Sequence, residues 1–311
     1  MARHAIILDC DPGQDDAIAL LLALASPDEI ELLAVTAVAG NVPLRLTESN
    51  ARRILALAGR SDVPVHVGCD RPLLRPLETA EYVHGATGLD GAELPPPALP
   101  PAPGHAVDAL IALVMSRPAA TVTLCPTGPL TNIALALRKE PRLAGHLAGI
   151  VLMGGAIELG NVTPAAEFNI HVDPHAADIV FGCGAPITMF GLDVTHKVLV
   201  TESRLRAIEA IGTPVARAAA GLLDFYSRFD RERYGEPGGP LHDPCVIAYL
   251  LEPTLFTGKA CPVTIEREGL CAGRTVVDWW NMHRHPPNAM VMRDVDADRF
   301  FALLTERLAR L

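Results

Sequence analysis

The feature that most constrains this chain is an apolar run that leads directly into an acidic turn near the N-terminus. Residues 6–16 read IILDCDPGQDD, and a second apolar run covers residues 17–25. A buried parallel strand appears in a sequence as a continuous run of Ile, Leu and Val, and Asp-Pro-Gly favours a tight turn. The pattern therefore predicts a strand, a turn and a helix that begins near Asp15 or Asp16. In open α/β sheets, ligands bind at such turns.

The turn is unusually rich in carboxylates, because Asp9, Asp11, Asp15 and Asp16 fall within positions 9–16. Carboxylates this close together repel one another unless a cation or a proton lies among them. Hard cations such as Ca²⁺ prefer several oxygen ligands, so we predict a metal site here. The alternative is that Asp11 begins the turn, Asp16 caps the helix and the other carboxylates are solvated.

Composition excludes several classes of partner. The chain has 311 residues, half of them hydrophobic, a formal charge of -10 and no cluster of Lys and Arg, which argues against binding to nucleic acid. The apolar run at 17–25 is too short to span a bilayer, and the N-terminus leaves no room for a signal peptide. The seven cysteines include no CxxC pair, which favours a reducing compartment. We therefore expect a cytoplasmic protein that binds a small molecule and has no membrane partner.

Apolar strand-like runs alternate with helical periodicity over most of the chain. Strands are predicted at 5–11, 30–39, 63–67, 121–126, 150–153 and 187–192, with helices between them at 16–25, 46–58, 107–116, 130–137 and 175–181. This alternation indicates an α/β fold with an open, mainly parallel central sheet and helices on both faces, as in Rossmann-like proteins.

The last third of the sequence predicts a helical C-terminal part of the same single domain, 1–311. Helical patterns lie at 204–210, 214–229 and 244–251, and residues 231–240, rich in charge and glycine, are predicted to form a mobile loop. The proline-rich residues 94–103 predict a stiff surface loop. We divide the domain into an α/β core at about 1–200, helical segments and a lid at about 203–255, and an extension at 256–311.

Further polar clusters lie where predicted strands end or helices begin. Thr127 lies in PTGPLTN at 126–132, Met153 begins MGG at 153–155, and HDP at 242–244 precedes a helix. Taken alone, each cluster has an ordinary explanation, since Asp243 followed by Pro244 is a good helix N-terminus and TGP is a common turn. Because they occur together with the acidic turn, we interpret them as parts of one site.

Several motifs follow one another in a defined order along the chain. They are DCDPGQDD at 9–16, AGN at 39–41, HG at 84–85, PTGPLTN at 126–132, MGG at 153–155, GN at 160–161, AEFN at 166–169, GLDVTH at 191–196 and HDP at 242–244. In order and spacing this series resembles the inosine–uridine-preferring nucleoside hydrolases, over roughly residues 5–255. The resemblance implies a Ca²⁺-dependent enzyme that hydrolyses the N-glycosidic bond of ribonucleosides to ribose and free base.

The same resemblance implies a set of metal ligands. The positions that match the family's ligands are the carboxylates of Asp11, Asp16 and Asp243 and the backbone carbonyl of Thr127. Calcium makes a bound water only weakly acidic, so a neighbouring base is needed. Asp11 resembles that base, which takes a proton from the water that attacks the sugar.

The resemblance also implies contacts to the sugar. Contacts to the 2′- and 3′-hydroxyls match Asp15, Asn169 and Asp243, contacts toward the 3′- and 5′-hydroxyls match Glu167 and Asn161, Met153 matches an apolar floor under the ribose, and Asn41 is assigned to substrate binding. A site that hydrogen-bonds a hydroxyl rejects the analogue that lacks it, so we predict ribose over 2′-deoxyribose.

Departure of the base requires a proton donor, and histidine titrates in a suitable range. His242 is the candidate for this general acid, and His84 is expected near the base and the 5′ side of the sugar. Base preference is expected to depend on mobile segments at 78–90 and 222–242, which include Tyr234. Trp279 and Trp280 are candidates for a core anchor, a subunit interface or a lid. Because members of the family are usually dimers or tetramers, the resemblance implies a homodimer or homotetramer.

Two other functions are considered. A haloacid-dehalogenase-like phosphatase also has two aspartates after its first strand, which Asp9 and Asp11 would supply, but Gly13 departs from its motif and Asp15 and Asp16 stay unexplained. A non-catalytic nucleoside- or sugar-binding protein would be expected to lack the base or the metal ligands. Metal-dependent release of a base separates these functions from the hydrolase.

Overall fold

The computed structural model describes residues 3–235 and 237–311, and Tyr234 as backbone only. The prediction for the Tyr234 side chain therefore lies outside the described residues. Near the N-terminus, the predicted strand, turn and helix are present as β1 (His4–Cys10) and α1 (Gln14–Leu24). Both elements are almost wholly buried, which accounts for their unbroken apolar sequence.

A single large sheet organises the described part of the chain, as predicted for an open α/β fold. Nine strands lie in it in the order β4-β3-β2-β1-β5-β6-β7-β11-β8, all parallel to their neighbours except β8, which is antiparallel to β11. The strands after β1 are β2 (Ile30–Ala37), β3 (Val65–Val67), β4 (Ala102–His105), β5 (Val122–Pro126), β6 (Gly149–Met153), β7 (Ile187–Phe190), β8 (Phe256–Cys261), β9 (Val263–Ile265), β10 (Thr275–Val277) and β11 (Ala289–Val295). β9 and β10 form a separate antiparallel pair.

Helices cover both faces of the sheet. After α1 they are α2 (Leu44–Leu57), α3 (Glu81–His84), α4 (Ala106–Met115), α5 (Thr131–Lys139), α6 (Leu143–His146), α7 (Phe168–Val172), α8 (Pro174–Phe181), α9 (Leu192–Thr195), α10 (Glu202–Glu209), α11 (Pro214–Tyr234), α12 (Pro244–Leu251) and α13 (Ala297–Leu308). Side chains alternate along β1: Ile6 and Leu8 pack with α1, α11, α12 and α13, and Ile7 packs with α4, α5 and α8. No helix in the described ranges is long and apolar enough to cross a membrane.

The mobile loop expected at 231–240 is wrong at its start. Residues 231–234 continue α11, which ends at Gly235 in the left-handed conformation (φ +69°), and the charged side chains of 231–233 are exposed, as on the solvent side of a helix. Beyond the helical segments, β11 and β8 extend the central sheet. The last two residues of the proline-rich segment predicted as a loop, 94–103, begin an edge strand, β4.

Candidate active site

The site lies at the carboxyl edge of the sheet, where the chain leaves β1 and β5. β1 has β2 on one side and β5 on the other, so the connections depart in opposite directions and leave a crevice beyond the strand ends. A pocket there is lined by predicted side chains, namely Asp15, Asn41, His84, Thr127, Met153, Asn161, Glu167, Asn169, His242 and Asp243. The remaining two predicted residues, Asp11 and Asp16, are buried beside it.

Carboxylates from two distant parts of the chain meet at this point. Oxygen atoms of Asp15, Asp16 and Asp243 all lie within 4.8 Å of one another, and the three side chains are buried. Asp15 and Asp16 lie in the first turn of α1. Asp243 precedes α12 but makes no side-chain capping bond to it, so its carboxylate is left for the site. The sequence argument for Asp243 as a simple helix cap is therefore wrong.

Asp11 lies beside this group and has one oxygen without a partner. Its Oδ2 accepts a hydrogen bond from the backbone N–H of Asn41 (2.7 Å), while its buried Oδ1 has no partner among the described residues. Two glycines leave room for this side chain, because a Cβ at Gly40 would lie 2.0 Å from Oδ2 and a Cβ at Gly128 would lie 2.5 Å from Oδ1. The backbone thus lies so close to the Asp11 carboxylate at both positions that a side chain there would clash with it.

Asp16 is held from several sides. Its Oδ1 accepts from the Thr127 hydroxyl (2.7 Å), and its Oδ2 accepts from the backbone N–H of Gly13 (3.0 Å) and from Asn41 Nδ2 (3.3 Å). The carbonyl oxygen of Thr127 accepts from Asn169 Nδ2 (2.7 Å) and retains a second lone pair. Asp16, in the first turn of α1, is therefore joined by hydrogen bonds to Thr127, which follows β5, and to Asn41, which lies in the loop after β2.

Burial makes ionisation of these carboxyl groups unfavourable. Desolvation raises the pKa of Asp15 to about 6 and that of Asp16 to about 7, and it raises the pKa values of Asp11 and Asp243 well above their ordinary range. Negative charge on neighbouring aspartates raises the pKa values of Asp11, Asp16 and Asp243 further. The group therefore requires protons or a cation. Its oxygen-only donors and the unpartnered Oδ1 atoms of Asp11 and Asp15 fit a hard divalent ion.

Residues around α7 form the opposite wall of the pocket. Glu167 accepts hydrogen bonds from the backbone N–H groups of Gly155 (2.8 Å) and Asn169 (2.9 Å), and burial raises its pKa to about 7. Asn161 Oδ1 accepts from the backbone N–H of Phe168 (3.0 Å), which fixes the loop before α7. Met153, the last residue of β6, also lines the pocket, and its backbone oxygen accepts a hydrogen bond from Asn169 Nδ2 (3.2 Å). The structure thus brings together every residue predicted to contact the sugar.

Two histidines border the pocket in different settings. His242 Nδ1 lies 2.7 Å from the Thr195 hydroxyl, and desolvation lowers its pKa well below the ordinary value, with a further decrease from His196 and His84. His84 lies at the end of α3, and burial lowers its pKa to about 3. Both rings are therefore neutral at neutral pH, so His242 would have to take up a proton before it could donate one as a general acid.

Helix α11 contributes pocket residues that were covered by the sequence predictions only as part of the segment 222–242, without being named. Tyr226, Phe229 and Asp230 line the pocket together with Tyr82 and His196. Their spacing of i, i+3 and i+4 places the first three on one side of α11. That spacing was an available signal, but Tyr234 was singled out in this segment instead.

The two adjacent tryptophans do not line this pocket. Trp279 is partly buried against the core, and Trp280 is exposed. The Lys259 ammonium lies 4.3 Å from the Trp279 ring centre and 5.1 Å from that of Trp280. Of the proposed roles, the structure favours a core anchor for Trp279.

Comparison with known proteins gives the family. A model of the family described as inosine-uridine preferring nucleoside hydrolase matches residues 6–302. The chain belongs to this family. The nucleoside hydrolase assignment confirms the resemblance inferred from the motifs, and it makes the chain a ribonucleoside hydrolase that cleaves N-glycosyl bonds. The phosphatase and the non-catalytic alternatives are therefore wrong.

Individual relatives of this nucleoside hydrolase cover almost the whole chain. The pyrimidine-specific ribonucleoside hydrolase RihA of Photobacterium profundum is 53% identical over 306 residues, which are 98% of this chain and 98% of that protein. Among solved structures, the plant nucleoside hydrolase PpNRh1 has a TM-score of 0.91 at 36% identity and covers 99% of both chains. A purine-preferring ribonucleoside hydrolase from Gardnerella vaginalis has a TM-score of 0.91 at 35% identity and covers 98% of both.

Proposed function

We propose that this hydrolase is calcium-dependent, prefers pyrimidine ribonucleosides, and uses Asp11 as general base and His242 as general acid. The observation that carries the proposal is the buried group of Asp15, Asp16 and Asp243, whose oxygens converge at the pocket. Four neighbouring carboxyl groups with raised pKa values are unfavourable in a metal-free protein, and a divalent cation removes the repulsion between them. Asp11, Asp16, Asp243 and the Thr127 carbonyl are the proposed ligands.

Activation of water depends on Asp11 in this proposal. The chemistry that bound calcium supplies is a positive charge that orients water and sugar hydroxyls and makes that water more acidic. The unpartnered Oδ1 of Asp11 is free to accept the water's proton, while the Asn41 N–H holds the other oxygen. Asp15 has an oxygen within 4.8 Å of oxygens of Asp16 and Asp243, and we assign it to a sugar hydroxyl.

The sugar develops positive charge as the glycosidic bond breaks, and the surrounding carboxylates stabilise it. Glu167 and Asn161 are proposed to bind the 3′- and 5′-hydroxyls, and Asn169 and Asp243 the 2′- and 3′-hydroxyls. Glu167 already accepts backbone N–H groups at both oxygens, so its position is set before substrate binds. These contacts support a preference for ribose over 2′-deoxyribose.

The leaving base requires a proton, which His242 is proposed to donate. If the Thr195 hydroxyl donates to Nδ1, the N–H of the neutral ring is at Nε2, on the other side of the imidazole. Negative charge that develops on the base favours uptake of a second proton by the ring, and the imidazolium then transfers its Nε2 proton to the base and becomes neutral again. His242 stays neutral before that moment because it is buried.

Pyrimidine preference is supported by the relatives. The RihA protein named as pyrimidine-specific is 53% identical to this chain, whereas the solved hydrolase named as purine-preferring is 35% identical. The assembly as a homodimer or homotetramer, the cytoplasmic location and the division of the domain at about residues 200 and 255 stay predictions from the sequence.

The decisive experiment is a substrate panel. Hydrolysis of uridine, cytidine, inosine, adenosine, guanosine and their 2′-deoxy forms is measured with calcium and then with chelator. We expect uridine and cytidine to be the best substrates, deoxy forms to be poor, and chelator to stop turnover until calcium is restored. Retention of full activity in chelator would disprove the metal requirement, and faster inosine hydrolysis would disprove the pyrimidine preference.

A further inference from the structure

Gln14, the first residue of α1, has no role in the proposed reaction but is fully buried (0% exposed). Its Nε2 donates hydrogen bonds to the backbone oxygens of His84 (2.9 Å) and Asp90 (3.0 Å). Both acceptors are carbonyl oxygens, which cannot donate, so these contacts establish which end of the amide is the nitrogen. The amide oxygen Oε1 therefore faces Nδ1 of His84, 2.7 Å away.

This contact determines the tautomer of His84. An amide oxygen only accepts, so Nδ1 must carry the proton. Because burial keeps the ring neutral, Nε2 then has a lone pair. No residue in the described ranges donates to that atom, and His84 lines the pocket. The pocket wall at this point therefore offers a hydrogen-bond acceptor.

The ring is also prevented from turning away. Tyr226 of α11 stacks on it with ring centres 5.5 Å apart and 26° between the planes. On the side of α1, a Cβ at Gly13 would lie 2.4 Å from His84 Nδ1, so the backbone of the acidic turn is in close contact with the imidazole. Gln14 and Tyr226 therefore fix the orientation of the His84 ring. Gln14 alone determines which ring nitrogen carries the proton.

We propose that Gln14 is a positioning residue that makes His84 an obligatory hydrogen-bond acceptor for the nucleoside. The group that His84 recognises is a donor, either the 5′-hydroxyl of the sugar or an N–H of the base. A neutral imidazole with the opposite tautomer would present N–H there and would face the donor of the substrate with a second donor. The inference rests on the proposed function, because it concerns the same pocket and substrate.

The tautomer itself is measured without turnover. The full-length protein, with calcium, is labelled with ¹⁵N-histidine and its imidazole nitrogens are observed at pH about 8, where even a free imidazole is neutral. His84→Gln identifies the His84 signals by their loss. We expect Nδ1 to carry the proton and Nε2 to be unprotonated. A proton on Nε2 would overturn the proposal, whatever the protein hydrolyses.

Two variants separate the effect of the His84 tautomer from that of the two hydrogen bonds that Gln14 Nε2 donates to backbone oxygens. Gln14→Glu keeps an acceptor for the Nδ1 proton but removes the donors to the two carbonyls. Gln14→Met has a similar length and removes both. We expect His84 to keep the proton on Nδ1 in the first variant and to shift it to Nε2 in the second. If Gln14→Met does not fold, the Glu variant and the wild-type spectrum still decide the question.

Kinetics then identify the donor. For wild type, kcat/KM for uridine is compared with that for 5′-deoxyuridine and for 3-methyluridine. The analogue that lacks the recognised donor is expected to lose about tenfold, the worth of one hydrogen bond. That ratio should persist in Gln14→Glu and fall toward one in Gln14→Met. Unchanged ratios for both analogues in a folded Met variant would overturn the proposal, whereas absence of uridine hydrolysis in wild type would count against the proposed function instead.

Discussion

At the scale of single residues, the site places function and stability in opposition. Asp11 has no exposed surface, and its Oδ1 has no hydrogen-bond partner in the described structure. A buried ionised carboxylate without compensation is destabilising, and nearby Asp16 adds like-charge repulsion. Such an arrangement is expected where a catalytic group is kept ready for a cation and a proton.

Asp11→Asn is therefore expected to abolish activity and to stabilise the metal-free protein. The amide keeps an oxygen for the Asn41 N–H and removes the charge. Loss of a general base lowers kcat by roughly 10²- to 10⁴-fold, while urea unfolding in chelator should require a higher denaturant concentration. Asp70→Asn, at an exposed surface carboxylate, is the control and should change neither. Turnover at the wild-type rate would remove Asp11 from the role of base.

At the scale of elements, the turns after the strands must approach the carboxylates closely. The turn from β5 to α5 passes Asp11 at Gly128, where a Cβ would lie 2.5 Å from Oδ1 and 3.0 Å from Val38 Cγ1.

Gly128→Ala should displace Asp11 while the helix and strand remain, so calcium binding and kcat/KM should fall by at least about tenfold. Gly145→Ala is the control because no atom lies within 4 Å of a Cβ there. Calcium binding is measured by titration calorimetry, and kcat/KM is measured with uridine. Equal values for the two variants would show that the close approach of Gly128 to Asp11 is not required.

The elements also show what a sequence can and cannot predict. β1 and α1 were predicted because both are buried throughout, and a buried element reads as unbroken apolar sequence. β8 was missed because, at the edge of the sheet, it exposes Thr257 and Gly258, which resembles a loop.

Within the site, the motif residues were predictable because they recur in a known order. The contact between Gln14 and His84 joins positions 70 residues apart, and no periodicity encodes such a pair. Tyr226 lay within the predicted segment 222–242 but was not named, since its contact with His84 depends on long-range packing of α11. Long-range packing therefore decided the parts of the site that the motifs did not contain.

At the scale of the whole molecule, the carboxylate group links folding to pH and metal. In the metal-free protein, Asp15 and Asp16 have pKa values of about 6 and about 7 instead of the ordinary 3.8. Between about pH 4 and pH 7 the folded state thus binds more protons than the unfolded state, and the free energy of unfolding from these groups falls as pH rises. Their contribution is fully present below pH 4 and lost above pH 7.

Calcium should reverse this dependence, because a bound cation replaces the protons and requires ionised carboxylates. We therefore expect the increase in Tm produced by calcium, relative to chelator, to be small at pH 5 and to grow steadily toward pH 8. Thermal unfolding followed by circular dichroism at fixed ionic strength measures both curves. Magnesium at the same concentration tests whether charge alone suffices, since Ca²⁺ accepts irregular sets of oxygen ligands that Mg²⁺ does not. Two parallel curves, with an increase that does not depend on pH, would show that these carboxylates are not the groups to which calcium binds.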